Sequence, residues 1–349
     1  MSPRVLFDPL DEEIDCGEDE TVLEAAFRQG YALVHGCREG QCSACKAFLL
    51  EGDVTLRRHS SFALSEAEEM LGYTLLCRAM PDSDLVVELL HYDPDAIRLE
   101  HPPRSGRARV VALQALTHDM RRLELEVLSP DDFAFEPGQY VDLEVPGGGG
   151  ARRSFSMANL PGDGRIELIV KRYLGGRFSG LLDSDGLQLG DELDFAGPYG
   201  ALHLRRSPRA VVLVAGGSGL APILALLRSL AGDGASRPVR LFYGVRGRRD
   251  LFWLDGVERL GAQLEDFRFV PVLSEERWDG ETGLVHDVAG RLLCAEDLGE
   301  LDAYMCGPPP MIDAATELLR DDLDVPDERI HHDKFTVAAD AATEKEVPT

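Results

Sequence analysis

The sequence predicts three domains in series: an α+β domain, then an antiparallel β-barrel, then an α/β domain with a parallel sheet. Four cysteines lie close together near the N-terminus and mark the first domain. Short apolar runs separated by turn residues follow between residues 106 and 206, which is typical of a barrel. From residue 207 onward apolar strands alternate with helical segments, as in a parallel sheet. The 349 residues, 44% of them hydrophobic, are sufficient for several cores.

The first predicted domain spans residues 1–98. Alternating apolar residues at its N-terminus predict a short hairpin. Thr21 is expected to cap an amphipathic helix over residues 22–29, and Gly30 to close it. Two later apolar runs predict strands over residues 47–50 and 85–90.

The cysteines of this domain have the spacing that a plant-type 2Fe-2S cluster needs. Cys37, Cys42 and Cys45 share one loop, and Cys77 follows an apolar pair further along the chain. Small residues in the loop leave room for backbone amides to approach the sulfur atoms. A zinc site is the alternative, but zinc motifs usually combine one Cys-x2-Cys pair with a second pair or with histidines. The four cysteines are therefore predicted to be iron ligands.

The composition limits the classes of function. The formal net charge of -26 argues against binding to nucleic acids and to anionic membranes. It fits attraction to a basic face of a protein partner, and it fits simple solubility equally well. No stretch approaches the roughly twenty apolar residues of a membrane span, and the acidic N-terminus does not resemble a signal peptide. The three cysteines outside the cluster are expected to be reduced thiols, and the chain is expected to be cytoplasmic.

Residues 99–105 contain two prolines and predict a linker into the barrel of residues 106–206. Within the barrel, an Arg-Ser-Phe-Ser motif combines groups that a flavin requires. These are a cation for the pyrophosphate, an aromatic surface beside the ring and a hydrogen-bonding group near N5. The residues are Arg153, Ser154, Phe155 and Ser156. An ordinary strand with a surface arginine explains the four residues equally well.

A second motif in the barrel is predicted to bind phosphate. Glycines lead into a helix that is expected to start near Phe178 with Ser179 as its cap, and a helix N-terminus favours an anion. The candidate residues of this motif are Lys171, Gly175, Gly176, Arg177, Phe178 and Ser179.

The last predicted domain, residues 207–337, contains two turns suited to a dinucleotide. The first follows an apolar strand and opens a helix, so that small residues let a pyrophosphate approach backbone amides. Its candidate residues are Gly216, Gly217, Ser218, Gly219 and Pro222. The second turn places Cys306 and Gly307 at another strand end, where the cysteine is a candidate for nicotinamide contact; a buried structural cysteine is the alternative. Residues 338–349 are predicted to be disordered.

Taken together and in this order, the four motifs resemble ferredoxin-NADP+ reductase-type flavoproteins with an N-terminal ferredoxin fused to them. The chain is most similar to the NADH-dependent reductase components of soluble di-iron multicomponent monooxygenases of the phenol, methane and propane types. The resemblance implies a β-grasp fold for the ferredoxin domain. It also implies three cofactors: FAD, a 2Fe-2S cluster and NADH.

The resemblance assigns roles to individual residues. By it, Arg153 would bind the flavin pyrophosphate, Phe155 would flank the ring system, and Ser156 would lie near N5. Phe155 departs from the family, which often has tyrosine there. Cys306 would lie beside nicotinamide C4. Asp333 and Phe335 match a carboxylate and an aromatic that covers the flavin until nicotinamide displaces it, although the family often has the longer glutamate at the first position.

The choice of donor depends on what meets the adenosine 2′ position. Glu275 lies where NADP-preferring relatives have arginine, and a carboxylate suits a ribose diol and repels a 2′-phosphate. Against this, Arg246, Arg248 and Arg249 could form a cationic pocket for that phosphate. The sequence favours NADH and leaves NADPH open.

The implied function is electron transfer from NADH through FAD and the cluster to a di-iron hydroxylase, with a coupling protein as a further partner. The flavin is needed because NADH donates two electrons together whereas the cluster accepts one. The reductase alone is expected to be monomeric. One alternative is the reductase of a Rieske ring-hydroxylating dioxygenase. The other is a redox-sensing or docking protein without catalytic activity.

Overall fold

The computed structural model describes residues 2–92, 97–173, 175–182, 186–296 and 298–335. The predicted disordered tail, residues 338–349, lies outside the described residues. The chain forms two compact units, Met1–Arg104 and Ser105–Thr349. The first contains the predicted ferredoxin domain, and the second contains the barrel together with the α/β domain.

The first unit has a mixed sheet with one main helix, as the α+β prediction requires. Its elements are β1 (Arg4–Asp8), β2 (Glu12–Asp15), α1 (Val22–Arg28), β3 (Lys46–Glu51), β4 (Val54–Leu56), α2 (Glu66–Met70), β5 (Tyr73–Leu75), β6 (Ala79–Pro81) and β7 (Leu85–Glu88). The main sheet has the order β2-β1-β7-β3-β5, with β1 and β7 parallel, and β4 and β6 form a separate pair. The predicted strand over residues 85–90 is thus shorter, because it ends at Glu88.

Helix α1 begins and ends as its sequence predicts. The Thr21 side chain accepts a hydrogen bond from the amide of Glu24, whose carboxylate accepts one from the amide of Thr21 in return. Gly30 then turns the chain with a φ of 81°, a conformation that side chains disfavour. The helix buries five apolar residues. This packing fixes the segment that leads into the cysteine loop.

The second unit begins with a six-stranded antiparallel sheet. Its strands are β8 (Arg104–Ala115), β9 (Met120–Ser129), β10 (Tyr140–Glu144), β11 (Arg152–Ser156), β12 (Arg165–Lys171) and β13 (Glu192–Tyr199). The order is β11-β10-β13-β8-β9-β12. Met157 pairs with Leu168 on β12, so the two edge strands meet and the sheet closes into the predicted barrel. Strand β8 starts within the predicted linker.

The rest of the second unit is an α/β domain whose strands are all parallel. Its elements are β14 (Ala210–Gly216), α3 (Leu220–Gly232), β15 (Val239–Val245), α4 (Leu254–Gly261), β16 (Phe267–Leu273), β17 (Glu281–Thr282), α5 (Val285–Leu293), β18 (Leu301–Gly307), α6 (Pro309–Glu317) and β19 (Ile330–Lys334). The sheet order is β17-β16-β15-β14-β18-β19. Parallel strands place their carboxyl ends at one edge, where nucleotides bind in such folds.

One apolar core joins the barrel to the α/β domain. Met120, Ala158 and Ile169 of the barrel belong to the same cluster of buried residues as the apolar face of α3. Close packing of this kind limits relative movement of the two domains. Among the described residues, no helix is long and apolar enough to cross a membrane.

Candidate functional site

The pairing of β3 with β5 brings the four cysteines of the first unit together. Cys45 immediately precedes β3, and its carbonyl accepts a hydrogen bond from the amide of Leu76 at 3.0 Å. Cys77 follows Leu76, and this backbone pairing brings its thiol into contact with that of Cys45. Both residues are 5% exposed, whereas Cys37 and Cys42 are only partly buried. The four sulfur atoms therefore form a group with one buried and one more accessible side.

Backbone amides of the loop point at its sulfur atoms. The Cys37 sulfur accepts hydrogen bonds from the amides of Gln41 at 3.1 Å and Glu39 at 3.4 Å, and the Cys42 sulfur accepts one from Cys37 at 3.2 Å. The thiol of Cys42 and these amides lower the pKa of Cys37 to about 5, which favours the thiolate form that binds metals.

Two glycines of this loop pack closely against other residues. A Cβ on Gly36 would lie 2.9 Å from the Cys42 sulfur, and one on Gly40 would lie 2.7 Å from Cβ of His59. Four converging thiols, amide donors aimed at sulfur and close packing at Gly36 and Gly40 fit a 2Fe-2S cluster. Cys37, Cys42, Cys45 and Cys77 would hold its irons.

Strands β10 and β11 position the predicted flavin motif. Ser154 donates a hydrogen bond of 2.6 Å to Asp142 on the neighbouring strand, and Arg153 donates one of 2.8 Å to the carbonyl of Arg152. Ser156, 5% exposed, lies opposite Tyr140 in the ladder. Alternation along β11 puts Arg153 and Phe155 on one face, and Ser156 on the other.

Phe155 packs into the barrel. Its ring centroid lies 4.9 Å from that of Phe178, which is 2% exposed. This contact connects β11 with the second phosphate motif. The position of Phe155 beside a flavin ring stays a prediction.

The helix predicted near Phe178 is wrong in the described part of this motif. The chain there forms a four-residue 3-10 helix, Ser179–Leu182. The Ser179 hydroxyl does not cap a longer helix but accepts a hydrogen bond from the amide of Tyr173 at 3.1 Å. Gly175 turns with a φ of 74°, and the amide of Gly176 also bonds back to Tyr173. Closure of this tight loop competes with helix propagation, so the described residues here form a short 3-10 helix instead of the predicted longer helix.

Two other residues of the second phosphate motif have charged side chains. Lys171, the last residue of β12, lies 3.8 Å from the Asp119 carboxylate, and Arg177 is exposed in the loop. Both cations are on the barrel side of the second unit. Their role in phosphate binding remains a prediction.

The two predicted dinucleotide turns meet at the carboxyl edge of the parallel sheet. A Cβ on Gly219 would lie 2.2 Å from the carbonyl oxygen of Cys306, and one on Gly216 would lie 2.6 Å from the Met311 sulfur. Gly217 turns with a φ of 55°, and Pro222 is buried in the first turn of α3. Backbone therefore packs on backbone here, and Ser218 provides the nearest hydroxyl in the turn. Glycines at these positions let the two turns approach closely at the start of α3, where a helix N-terminus favours a pyrophosphate.

Three further predicted residues gather beside this edge. Cys306 on β18 is fully buried and pairs in register with Asp333 on β19. Burial and the nearby Asp333 raise the pKa of the Cys306 thiol, and burial raises the pKa of Asp333 to about 6. The amide of Phe335 donates to the carbonyl of Gly307 at 2.9 Å, and its ring packs against the shared core. Cys306, Asp333 and Phe335 thus lie together as the resemblance implies.

The predicted adenosine side has a carboxylate and a paired arginine. Glu275 is exposed after β16, and its amide bonds to the carbonyl of Arg246 at 2.9 Å. Arg248 forms an ion pair of 3.2 Å with Glu276. One cation of the alternative NADPH pocket is therefore compensated within the protein. This weakens the case for a 2′-phosphate.

Sequence reasoning missed residues that only the tertiary structure brings to the site. Tyr140 lies opposite Ser156, and its ring centroid is 5.7 Å from that of Tyr199. Arg228 reaches from α3 to the barrel and contacts Glu167. The apolar periodicity of α3 does mark Arg228 as the one charged residue of that helix, but nothing in the sequence identifies its partner.

Three family models match the chain in the predicted order. They are the 2Fe-2S iron-sulfur cluster binding domain over residues 5–82, the oxidoreductase FAD-binding domain over residues 107–204 and the oxidoreductase NAD-binding domain over residues 213–317. These matches confirm the predicted fold class and the predicted cofactors.

Whole-chain comparisons agree with the three domain matches. The chain is 44% identical to the reductase component of propane 2-monooxygenase from Rhodococcus jostii, over 96% of this chain and 92% of that protein. It is 35% identical to the electron transfer component of toluate 1,2-dioxygenase from Pseudomonas putida, over 93% and 95% of the two chains. The crystal structure of the Amycolatopsis cytochrome P450 reductase GcoB covers 97% of this chain and 100% of its own, with a TM-score of 0.86 and 35% identity.

Proposed function

This chain belongs to the ferredoxin-fused reductase components of multicomponent oxygenases, and we propose that it delivers electrons from NADH to a di-iron hydroxylase. Similarity along the whole chain to the reductase component of a propane 2-monooxygenase is the observation that supports this most strongly. Membership in the family makes the chain an oxidoreductase, and the alternative of a non-catalytic sensor or docking protein is thereby wrong.

FAD held in the barrel by Arg153 and the β11 segment would supply the chemistry that takes a hydride from NADH C4 at flavin N5 and passes the two electrons singly to the cluster. The protein residues hold the reactants in place for this chemistry. Ser156 would present its hydroxyl to N5 from the end of β11, and Arg153 would neutralise the pyrophosphate. The Gly216–Gly219 turn would receive the donor pyrophosphate, and Phe335 would cover the flavin face in the absence of nicotinamide.

The cluster loop fits the exit of electrons from the reductase. Cys37 and Cys42 lie on the more accessible side of the sulfur group, whereas Cys45 and Cys77 are almost completely buried. A partner that docks beside Cys37 and Cys42 would approach the cluster more closely than one docking elsewhere on this unit. The amides of Glu39 and Gln41 would stabilise negative charge on sulfur and so tune the potential of the cluster.

NADH is the donor that the adenosine side favours. Glu275 would accept hydrogen bonds from a ribose diol and repel a 2′-phosphate. Arg248 is engaged by Glu276 at 3.2 Å and is less able to attract that phosphate. The same carboxylates would orient the adenosine and discriminate against NADPH.

The reductase of a Rieske dioxygenase remains the second candidate, because the toluate 1,2-dioxygenase component is 35% identical to this chain. We favour the di-iron partner because identity to the propane monooxygenase component is 44%. The coupling protein of the oxygenase would be an additional partner, and the reductase would be monomeric in isolation.

A reconstitution experiment tests the proposal. The holoprotein, loaded with FAD and iron, is mixed with NADH and either a di-iron alkane or phenol hydroxylase or a Rieske oxygenase. We expect NADH-dependent reduction of cytochrome c without either partner, and substrate hydroxylation only with the di-iron hydroxylase. Turnover confined to the Rieske oxygenase would contradict the proposed partner, and failure to reduce cytochrome c would contradict electron transfer altogether.

A further inference from the structure

A buried ion cluster connects the dinucleotide helix to the flavin barrel. Arg228 on α3 donates hydrogen bonds to the carbonyl of Ala158 at 2.5 Å and to the two Glu167 carboxylate oxygens at 3.3 and 3.4 Å. Ala158 follows the end of β11, and Glu167 lies on β12. Arg228 therefore contacts two segments of the barrel with one planar group, a geometry that a guanidinium provides and an ammonium does not. We call Arg228, Glu167 and Ala158 the interdomain clasp.

The buried environment of the clasp favours the hydrogen-bonded arrangement of Arg228 with the barrel. Glu167 is 6% exposed, and Arg122 approaches its carboxylate at 3.2 Å from the barrel side. Two arginines thus compensate one buried carboxylate. If Arg228 withdrew, Arg122 would still pair with Glu167, but the carboxylate and the Ala158 carbonyl would both lose charge-assisted hydrogen bonds in a buried setting, which favours the paired arrangement.

The backbone nearby is shaped to hold the guanidinium in place. The indole ring of Trp253 lies 4.7 Å from the guanidinium carbon of Arg228, as in a cation–π contact. Trp253 adopts a left-handed φ of 62°, which is unusual for a residue with a large side chain. A Cβ on Gly256 would lie 2.3 Å from the Trp253 ring, so glycine makes room for it. The chain thus accepts backbone strain to place this ring on Arg228.

We propose that Arg228 is a positioning residue for hydride transfer, because the clasp sets the distance between the nicotinamide and flavin sites. Helix α3 begins directly after the Gly216–Gly219 turn, so Arg228 fixes the rigid element that bears the donor site. On the other side, Ala158 is two residues from Ser156, which faces flavin N5 in the proposed function. The inference rests on that function. A displacement of about 1 Å between reacting groups costs on the order of 100-fold in rate.

The test compares three variants of the holoprotein by stopped-flow mixing with NADH. Arg228→Met keeps the length of the side chain without its charge, and Arg228→Lys keeps the charge without the planar group. Arg107→Met is the matched control, because Arg107 pairs with Glu192 on the exposed surface of the barrel and is not part of the clasp. We expect flavin reduction to slow on the order of 10- to 100-fold in Arg228→Met, less in Arg228→Lys and not at all in the control.

Two further readouts separate positioning from simple stability. The charge-transfer absorbance between NAD+ and the reduced flavin should weaken in Arg228→Met, while the NADH dissociation constant stays unchanged because the donor turn is intact. Hydrogen exchange should accelerate in peptides that contain Ala158 and α3, whether or not NADH is present. These changes would show that Arg228 acts on the relative position of the nicotinamide and flavin sites.

Several outcomes would overturn the inference. A folded Arg228→Met protein with a lower melting temperature but normal flavin reduction and charge-transfer absorbance would make the clasp a stabilising contact only. If Arg228→Met does not fold, a normal reduction rate in Arg228→Lys would have the same meaning. A wild-type holoprotein that NADH does not reduce would contradict the proposed function itself, and that result is recognised before any variant is measured.

Discussion

The cluster site and the dinucleotide site are built in different ways. In the first unit, four cysteine side chains are themselves the proposed ligands, and three of them lie within one loop. In the second unit, the close contacts are made by backbone, as where Gly219 meets the carbonyl of Cys306. Side-chain ligands leave a specific spacing in the sequence, whereas a backbone site leaves glycines that occur for many reasons. This difference explains why the cluster motif is informative on its own and the flavin and nucleotide motifs are informative only together.

Because the cluster site is built from side chains, we expect loss of a single side chain to abolish it. Replacing Cys42 with Ser should remove or cripple the cluster, because the cluster needs four thiolates. The second unit has its own cores and should remain folded with FAD bound. Visible absorbance and iron content measure the cluster, while NADH-to-ferricyanide activity reports the flavin.

Ferricyanide reduction should survive in Cys42→Ser, and electron delivery to the oxygenase should fall to background. Cys294→Ser is the control, since Cys294 is exposed and outside the site. An intact iron–sulfur spectrum in Cys42→Ser would rule out this residue as a ligand.

A single methyl group should damage the second site. Replacing Gly219 with Ala would place Cβ 2.2 Å from the Cys306 carbonyl oxygen and 2.5 Å from its carbon, and neither backbone atom can move without shifting β18. We expect a loss of roughly 1 to 3 kcal/mol in the free energy of unfolding, as for overpacked cores. NADH binding should weaken at the same time, because the turn and the strand end are displaced together.

Gly232→Ala is the matched control on the same helix. Nothing lies within 4 Å of the added Cβ, and alanine favours a helix over glycine by about 1 kcal/mol. Thermal melting and NADH titration of both variants measure the difference. Equal stability of Gly219→Ala and Gly232→Ala would show that the backbone contact at Gly219 is not required.

Elements that depend on local sequence patterns were predicted better than elements that depend on other contacts. The helix of residues 22–29, its Thr21 cap and the apolar strands β14, β15, β16 and β18 are set by local patterns, and the structure confirms them. Strands β17 and β19 have no long apolar run and were not predicted. Helix α2 was missed because it is short and buries no residue, so it has no apolar stripe. The helix predicted near Phe178 was wrong because Ser179 bonds to the amide of Tyr173, which no local rule anticipates.

Contacts between distant segments were beyond prediction. Closure of the barrel by Met157 and Leu168 depends on the tilt of all six strands. The pairing of Arg228 with Glu167 joins residues 61 positions apart in sequence. Cys306 was a candidate from its turn, but Asp333 could be assigned only through resemblance, because the proximity of the two residues follows from the order of strands in the sheet.

A smaller and more selective effect is expected on the preference of the dinucleotide site for NADH or NADPH. Glu275→Arg should shift preference toward NADPH by replacing repulsion of the 2′-phosphate with attraction. We expect 1 to 3 kcal/mol in relative specificity, on the order of one charge-assisted hydrogen bond. The measurement is the ratio of kcat/KM for NADH and NADPH. Glu258→Arg on α4 adds the same charge at another exposed position of this domain and should leave the ratio unchanged; a shift of equal size in both variants would contradict the assignment.

The smallest expected effect concerns Asp333, a half-buried side chain beside the backbone-built site. Burial raises its pKa to about 6, above the value near 3.9 of an unfolded chain. The folded state therefore holds the proton more tightly, so the free energy of unfolding falls as pH rises from about 4 to 6 and stays low above that range. Asp333→Asn removes this dependence. The variant should be more stable at pH 7.5 by on the order of 1 kcal/mol, less than the full linkage value because the carboxyl is partly exposed. Its advantage in melting temperature should shrink toward pH 5, and an advantage independent of pH would show that Asp333 titrates normally in the folded protein.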